Sequence, residues 1–355
     1  MQNTEKHMDR LDLAPYLNPT HLQLIILPTE QCNFRCTYCY EDFEIGMMKR
    51  NTVDAIKKLL EKRLPKLQSL SLSWFGGEPL MAKNIVSELS GFAQSECASA
   101  GIRFTSSMTT NAFGLDRATF DNLVQLDVRD YQISIDGDEE EHNKTRKLAN
   151  GKGSFKKIWA NLLALRESTE QFVVMLRVHV HKENTESIKQ LLPKMQEAFG
   201  DDPRFTIFLK AVGDWGGNTV KSMELIKKPQ EIIAELKVQL QELGWFNARP
   251  QVAGNNASIS MCYASKPNSF VIRADGNLAK CTVAFSDTRN HVGHINDDGT
   301  LEIENNKVRT FMRGFQSMDR EELHCPMKGM PKAMEVKVLK FERMNDITGA
   351  VAVAA

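Results

Sequence analysis

No excess of charge of either sign marks this chain: 45 lysines and arginines face 45 aspartates and glutamates over 355 residues, a formal net charge of zero. That balance excludes non-specific nucleic-acid binding and polybasic membrane binding, both of which need a cationic patch or surplus. Pairs such as Lys227-Lys228 read as a solvated face. Long apolar runs are missing as well. The opening MQNTEKHMDRLDLAPYL has no stretch suited to a signal peptide, and no window approaches the ~18 to 20 apolar residues of a membrane span. The expectation is a cytoplasmic protein with neither membrane nor nucleic acid as partner. Cysteine is scarce, seven in all, at 32, 36, 39, 97, 262, 281 and 325. In a reducing compartment an odd set of that kind points to metal ligation rather than bridges. No internal repeat or low-complexity segment is present.

What is there reads as α/β. Strand-like runs fall at LQLIIL (22–27), SLSLSW (69–74), RFTSSMT (103–109), YQISI (131–135), FVVMLRVHV (172–180) and FTIFLK (205–210). Between them lie helix-period segments: Val53, Ile56, Leu60 and Leu64 on one face; Ile85, Leu89, Phe92, Ala93 and Cys97; and Phe155, Ile158, Trp159, Leu162 and Leu165. Strands alternating with helices of this length imply βαβ units and a parallel sheet. Six such units predict a partial (β/α)6 barrel resembling a TIM barrel, whose chemistry gathers at the C-terminal strand ends. PQEIIAELKVQLQEL, 229–243, reads as a further helix with proline near its start. Beyond it, ARPQVAGNNASIS is loop-like, and SFVIRADGNLAKCTVAF reads as a hairpin turning at Asp275-Gly276-Asn277. The expected division is an N-terminal extension at 1–20, the barrel at 21–220, a bridging helix at 221–250, and a small α+β domain with a tail at 251–355.

QCNFRCTYCY puts Cys32, Cys36 and Cys39 on the loop that follows the first strand. Soft thiolates there suit zinc or an iron–sulfur cluster. Zinc would need a fourth ligand, and no nearby histidine supplies one, since His21 precedes the strand. A cube held by three cysteines keeps one iron free for a small molecule.

The C-x3-C-x2-C spacing, with Tyr38 just before the third cysteine, resembles the radical S-adenosylmethionine (radical SAM) superfamily. That resemblance implies a 4Fe-4S cluster whose open iron chelates S-adenosylmethionine, and reductive cleavage to a 5′-deoxyadenosyl radical that abstracts a hydrogen atom. WFGGEP ends the second strand and is similar to the family's GGEP motif, so Gly76, Gly77, Glu78 and Pro79 are expected at the cofactor's amino group. Two glycines let backbone approach a ligand closely. TTNA (109–112) resembles the family's T-N-G with alanine in place of glycine, making Asn111 a candidate. SIDG (134–137), followed by His142 and Arg146, resembles the segment whose serine, here Ser134, contacts the ribose. Arg177, within the fifth strand, lies where family members often place an arginine toward the cofactor carboxylate; a barrel-interior salt bridge is the other reading. For His142 the plainer reading is a structural hydrogen bond. Asp136 is the candidate base for a proton released in oxidation.

Cys262, Gly276 and Cys281 form C-x13-G-x4-C, which is similar to the opening of the SPASM and twitch extensions that hold auxiliary iron–sulfur clusters. Cys325 is the expected third ligand. A full SPASM run would continue, but Lys328 and Pro331 stand where further cysteines would fall, so at most one auxiliary cluster is expected, with His324, ahead of His291 or His294, as a candidate non-cysteine ligand. Cys97, in step with Leu89 and Ala93, reads as an inert buried thiol.

Relatives with such extensions modify side chains in peptides or proteins. The leading expectation is an oxidative side-chain cross-link, C–C or thioether, in a ribosomally made precursor peptide. An external flavodoxin- or ferredoxin-type donor would supply electrons. The leader-recognition domain that such maturases often carry would be absent or a separate protein. Epimerisation and sulfatase-maturase-like oxidation are the alternatives within the class; a non-catalytic iron–sulfur sensor is the alternative outside it.

Overall fold

A computed structural model describes residues 13–215, 220–245 and 261–331. The loop expected at 248–260 and the apolar tail AVAVAA lie outside the described residues. The helices and strands alternate as β1 (His21–Ile26), α1 (Arg50–Arg63), β2 (Ser69–Trp74), α2 (Lys83–Ala100), β3 (Arg103–Thr110), α3 (Arg117–Gln125) and β4 (Val128–Ser134). They continue as α4 (Glu139–Thr145), α5 (Phe155–Arg166), β5 (Val173–Val180), α6 (Thr185–Phe199), β6 (Phe205–Ala211) and α7 (Pro229–Glu242). The six strands are parallel neighbours in sequence order. This is the partial barrel that the strand and helix periods predict.

The two faces of the sheet follow from alternation along each strand. In β2 the leucines and Trp74 are buried and the serines half-buried. The same split gives β5 buried Val174, Leu176, Val178 and Val180 beneath the helices. Each aliphatic side chain so removed from water contributes about 1.5–3 kcal/mol. The opposite, inner face carries small polar groups that bond across strands: His21 to Ser69 at 2.8 Å, Thr105 to Ser71 at 3.2 Å and Ser107 to Ser73 at 3.0 Å. A hydroxyl-lined interior leaves room that leucines would have filled.

On the helix side, α1 buries Val53, Ile56, Leu59 and Leu60, the spacing of one helical stripe. Helix α2 buries Leu89, Ala93 and Cys97 and stops at Gly101, whose φ of +67° provides a left-handed cap. Cys97 is fully buried in this core.

Beyond α7 come β7 (Ser269–Ile272), β8 (Asn277–Ala279), β9 (His291–Ile295), β10 (Leu301–Ile303), α8 (Asn305–Phe311) and α9 (Arg320–His324). Strands β7 and β8 form the expected antiparallel hairpin, closed by Arg273 N–H donating to Asn277 O at 2.9 Å, with Gly276 at φ +89°. Strand β7 also pairs in parallel with β1. One sheet of ten strands results, in the order β10-β9-β8-β7-β1-β2-β3-β4-β5-β6. A buried ion pair fastens the junction: Glu30, just past β1, accepts from Arg273 at 2.5 and 3.1 Å and from the Ala274 N–H at 3.3 Å.

Candidate active site

The loop leaving β1 carries Cys32, Cys36 and Cys39 and is fixed by backbone on both flanks. On one side, Gly77 N–H donates to Thr29 O at 3.3 Å and Glu78 N–H to Gln31 O at 3.0 Å. On the other, Arg35 N–H donates to Lys147 O, Thr37 N–H to Thr145 O and Ala149 N–H to Asn33 O, at 2.8–2.9 Å. The two glycines of WFGGEP serve this contact. A Cβ on Gly76, whose φ is +110°, would lie 2.3 Å from Thr29 O, and one on Gly77 would lie 2.4 Å from Gln31 O. The close approach expected toward a ligand is thus made first toward the cysteine loop itself.

Glu78 is buried and caps the turn that begins at Pro79, accepting from Leu80 N–H at 3.0 Å. It also accepts from the Thr110 hydroxyl at 2.6 Å and the Asn111 N–H at 2.7 Å. This ties the ends of β2 and β3 together. Asn111 in turn donates from Nδ2 to Asn33 Oδ1 at 2.8 Å, beside Cys32. The next residue, Ala112, takes φ +58° where glycine would sit unstrained.

At the ends of β4 and β5 a buried polar network closes around Tyr38. Its hydroxyl donates to Asp136, accepts from Arg146 at 2.8 Å, and lies 3.2 Å from His179 Nδ1. Asp136 is fully buried and also accepts from the His179 N–H at 3.1 Å and from its ring at 3.0 Å. Asn184 Nδ2 holds the carbonyls of both residues at 2.8 Å. Burial alone would raise the Asp136 carboxyl, yet His179 and Arg146 hold it well below the usual carboxylate range. A carboxylate so stabilised resists protonation. His142 bears out its plainer reading: Nδ1 accepts from the Asp136 N–H at 3.3 Å, and Nε2 lies 3.1 Å from the Ser154 hydroxyl. Burial lowers this imidazole to about 3, leaving it neutral.

Ser134 and Arg177 are register partners on β4 and β5, on the same face as His179. Arg177 Nε is buried without a hydrogen-bond partner, as are Arg146 Nε, Thr37 Oγ1 and Glu41 Oε1. Four unsatisfied polar atoms around one loop suit a polar ligand. Burial pushes all three thiols up, Cys32 and Cys39 to about 12, with Glu78 adding to the push on Cys32 and Cys36 to that on Cys39. Thiols in such surroundings become thiolates only against added positive charge, which bound iron provides. As the side chains stand, no three Cys, His, Asp or Glu among the described residues are gathered tightly enough to hold a metal ion.

At the rear, Cys262, Cys281 and Cys325 are likewise electrostatic neighbours. Cys262 N–H donates to Leu323 O and Cys281 N–H to Asn290 Oδ1, both at 2.9 Å. His324 is exposed, His291 Nε2 lies 3.0 Å from Phe285 O, and His294 is exposed near Asn277. Beside them the fully buried Lys280 donates to Lys266 O and Ser269 O. His179, Asn184, Glu30 and Lys280 were not singled out by sequence. His179 alone left a trace there, two residues from Arg177 on an alternating strand.

A partial α/β barrel with a fastened three-thiol loop at its mouth defines a cofactor-using fold of a recognisable class. Residues 26–193 match the family model of the Radical SAM superfamily, and the chain carries a radical SAM domain. A cysteine-type anaerobic sulfatase-maturating enzyme from Clostridium novyi is 31% identical over 170 residues, 44% of either chain. Among solved structures, anSMEcpe with bound AdoMet aligns at TM-score 0.63 and 17% identity, covering 82% of this chain and 84% of the other. Streptococcus suis SuiB bound to precursor peptide SuiA aligns at TM-score 0.53 and 16% identity, covering 78% and 63%. The chain spans about half the length of the curated relatives it matches. Those relatives also include proteins named Fe-coproporphyrin III synthase and GTP 3′,8-cyclase. No helix among the described residues is long and apolar enough to cross a membrane.

Proposed function

We propose that this protein is a radical SAM enzyme that oxidises a peptide, forming a cross-link between side chains. The observation that carries the cofactor assignment is the cysteine loop, pinned by backbone to Gly77-Glu78 on one flank and to residues 145–149 on the other. Cys32, Cys36 and Cys39 would hold the 4Fe-4S cluster. When bound, the cluster and S-adenosylmethionine supply a 5′-deoxyadenosyl radical that removes a hydrogen atom from substrate. The residues around them do the rest. Arg177, with its unpartnered Nε, and Ser134 would bind the cofactor from the inner barrel face; Glu78, Asn111 and Tyr38 would hold the strand ends and loop in register around it. The inner sheet face that carries Ser71, Ser73, Thr105 and Ser107 would admit an extended, polar segment.

Peptide as substrate is supported by the likeness to the sulfatase-maturating enzyme and to SuiB, which was solved with a precursor peptide. An auxiliary cluster on Cys262, Cys281 and Cys325 would accept the electron that a cross-link releases. Exposed His324 is a weak fourth ligand beside it. A flavodoxin- or ferredoxin-type donor and a separate leader-recognition protein would complete the system. Oxidation of a cysteine or serine side chain is the second reading, favoured by the match to the cysteine-type maturating enzyme.

The test is anaerobic reconstitution with iron, sulfide, S-adenosylmethionine and dithionite, followed by incubation with candidate precursor peptides drawn from whatever short reading frames neighbour the gene. The expected products are 5′-deoxyadenosine and a peptide lighter by two hydrogens with joined fragments. A peptide lighter by two hydrogens but unjoined would favour side-chain oxidation. Deuterium uptake from solvent at one α-carbon without mass loss would replace both with epimerisation. An intact cluster with no 5′-deoxyadenosine under strong reductant would leave a non-catalytic sensor.

A further inference from the structure

We propose that His179 accepts the proton the substrate loses, with Asp136 holding its ring in the accepting tautomer. This rests on the reading of the protein as an oxidising enzyme and names a residue that reading leaves unassigned. His179 lies one residue short of the C-terminal end of β5, at the mouth of the barrel, on the inner face with Arg177. Its Nδ1 is 3.0 Å from Asp136 Oδ1, and Asp136 remains ionised, so Nδ1 carries the hydrogen and donates it. Nε2 is then the lone-pair nitrogen. It has no hydrogen-bond partner among the described residues, and the side chain keeps 13% exposure.

The ring is held from several sides. Its own backbone N–H donates to Asp136, Asn184 clamps the carbonyls of both residues, and the Tyr38 ring lies 4.7 Å away at 38°. The charged and titratable groups facing it are Asp136 beyond β4, Tyr38 on the cysteine loop, Arg146 past α4, Arg177 on β5 and Lys210, the register partner of His179 on β6. Burial, with the two arginines, lowers this imidazole, which is therefore neutral and able to accept near pH 7. An imidazole oriented by a buried carboxylate, with its far nitrogen open, is the arrangement general-base catalysis requires.

The step moves one proton and no electron between residues. An X–H bond of the substrate, X being oxygen, nitrogen or sulfur, breaks heterolytically. Its electron pair stays on X, the proton goes to Nε2, and the resulting imidazolium is balanced by Asp136.

Two measurements test this on the full-length chain. Long-range proton–nitrogen correlation of histidine-labelled protein, before and after cluster loading, should show one ring in the Nδ1-H tautomer near pH 7, lost in His179→Gln and altered in Asp136→Asn. An Nε2-H ring or an imidazolium at that position would overturn the proposal whatever the activity. In turnover, His179→Gln should lower product formed per 5′-deoxyadenosine by about 10²-fold, and imidazole added to His179→Gly should restore at least tenfold of it. An unchanged ratio in His179→Gln would sink the inference while leaving the radical SAM reading intact. Absence of 5′-deoxyadenosine in the unaltered protein would sink that reading, and the tautomer measurement would still decide the orientation of His179.

Discussion

Ala112 takes a left-handed backbone, φ +58°, fully buried at the end of β3. A non-glycine residue there costs about 1–2 kcal/mol, and its buried methyl returns about 0.8 kcal/mol. Ala112→Gly should therefore stabilise slightly, by about 0–1 kcal/mol, read by chemical denaturation. A loss above about 2 kcal/mol would show that the methyl packs more tightly than its surroundings indicate. Lys280 offers a sharper test. Its amine is fully buried with two carbonyl acceptors, the number of N–H donors on a neutral amine, and burial lowers it to about 7. An unfolded lysine titrates near 10.4, so between those values the unfolded chain binds the extra proton and folding gains stability as pH rises. That gain is lost as pH falls from about 10 to 7 and is flat below. Lys280→Met should lack it, so the stability difference between wild type and variant should grow by about 3–4 kcal/mol across that window. A difference independent of pH would mean the amine stays charged.

At the scale of elements, the buried Glu30–Arg273 pair joins the end of β1, where the cysteine loop begins, to the β7–β8 turn. The Arg273 side chain is 8% exposed and that of Glu30 0%, so solvent screens the pair little. Removing one partner strands a buried charge. Arg273→Met should cost about 3–5 kcal/mol, and adding Glu30→Gln should recover part of it. Equal losses in the single and double variants would show that the contact of Arg273 with the Phe285 ring matters more than the charge. The elements themselves were largely legible. Strand β2 spans the very residues its serine–leucine alternation marks, because one face meets helices and the other an open interior. Helix α6 was not legible: Pro193 interrupts a pattern that Ile188, Leu191, Leu192, Met195 and Phe199 otherwise carry. Burial of that stripe outweighs the one backbone bond the proline forgoes. The pairing of β7 with β1 was hidden too, since a 4-residue strand carries no mark of a partner some 240 positions earlier.

For the whole molecule, the continuous sheet places the rear thiols behind the same β1 whose loop bears the front ones. The site motifs were legible because cofactor chemistry fixes residue type and spacing. The donors that surround Asp136 were not, because residues that approach a strand-end carboxylate from other elements leave no mark beside it in the sequence. Whether the rear thiols hold a second cluster is a matter of counting. Two cubes per chain give about eight iron and eight sulfide, and one gives about four of each. Cys325→Ser should lower the count from about eight toward four and keep S-adenosylmethionine cleavage. Cys36→Ser should lower it similarly and abolish cleavage, since it removes the front cube. The upward push on Cys32, Cys39 and Cys281 predicts that proton release accompanies iron uptake, about one per such thiol. Isothermal titration in two buffers of different ionisation heat reads that number directly. Full iron uptake with no proton release would mean the thiolates exist beforehand, contrary to the upward push that burial gives Cys32, Cys39 and Cys281.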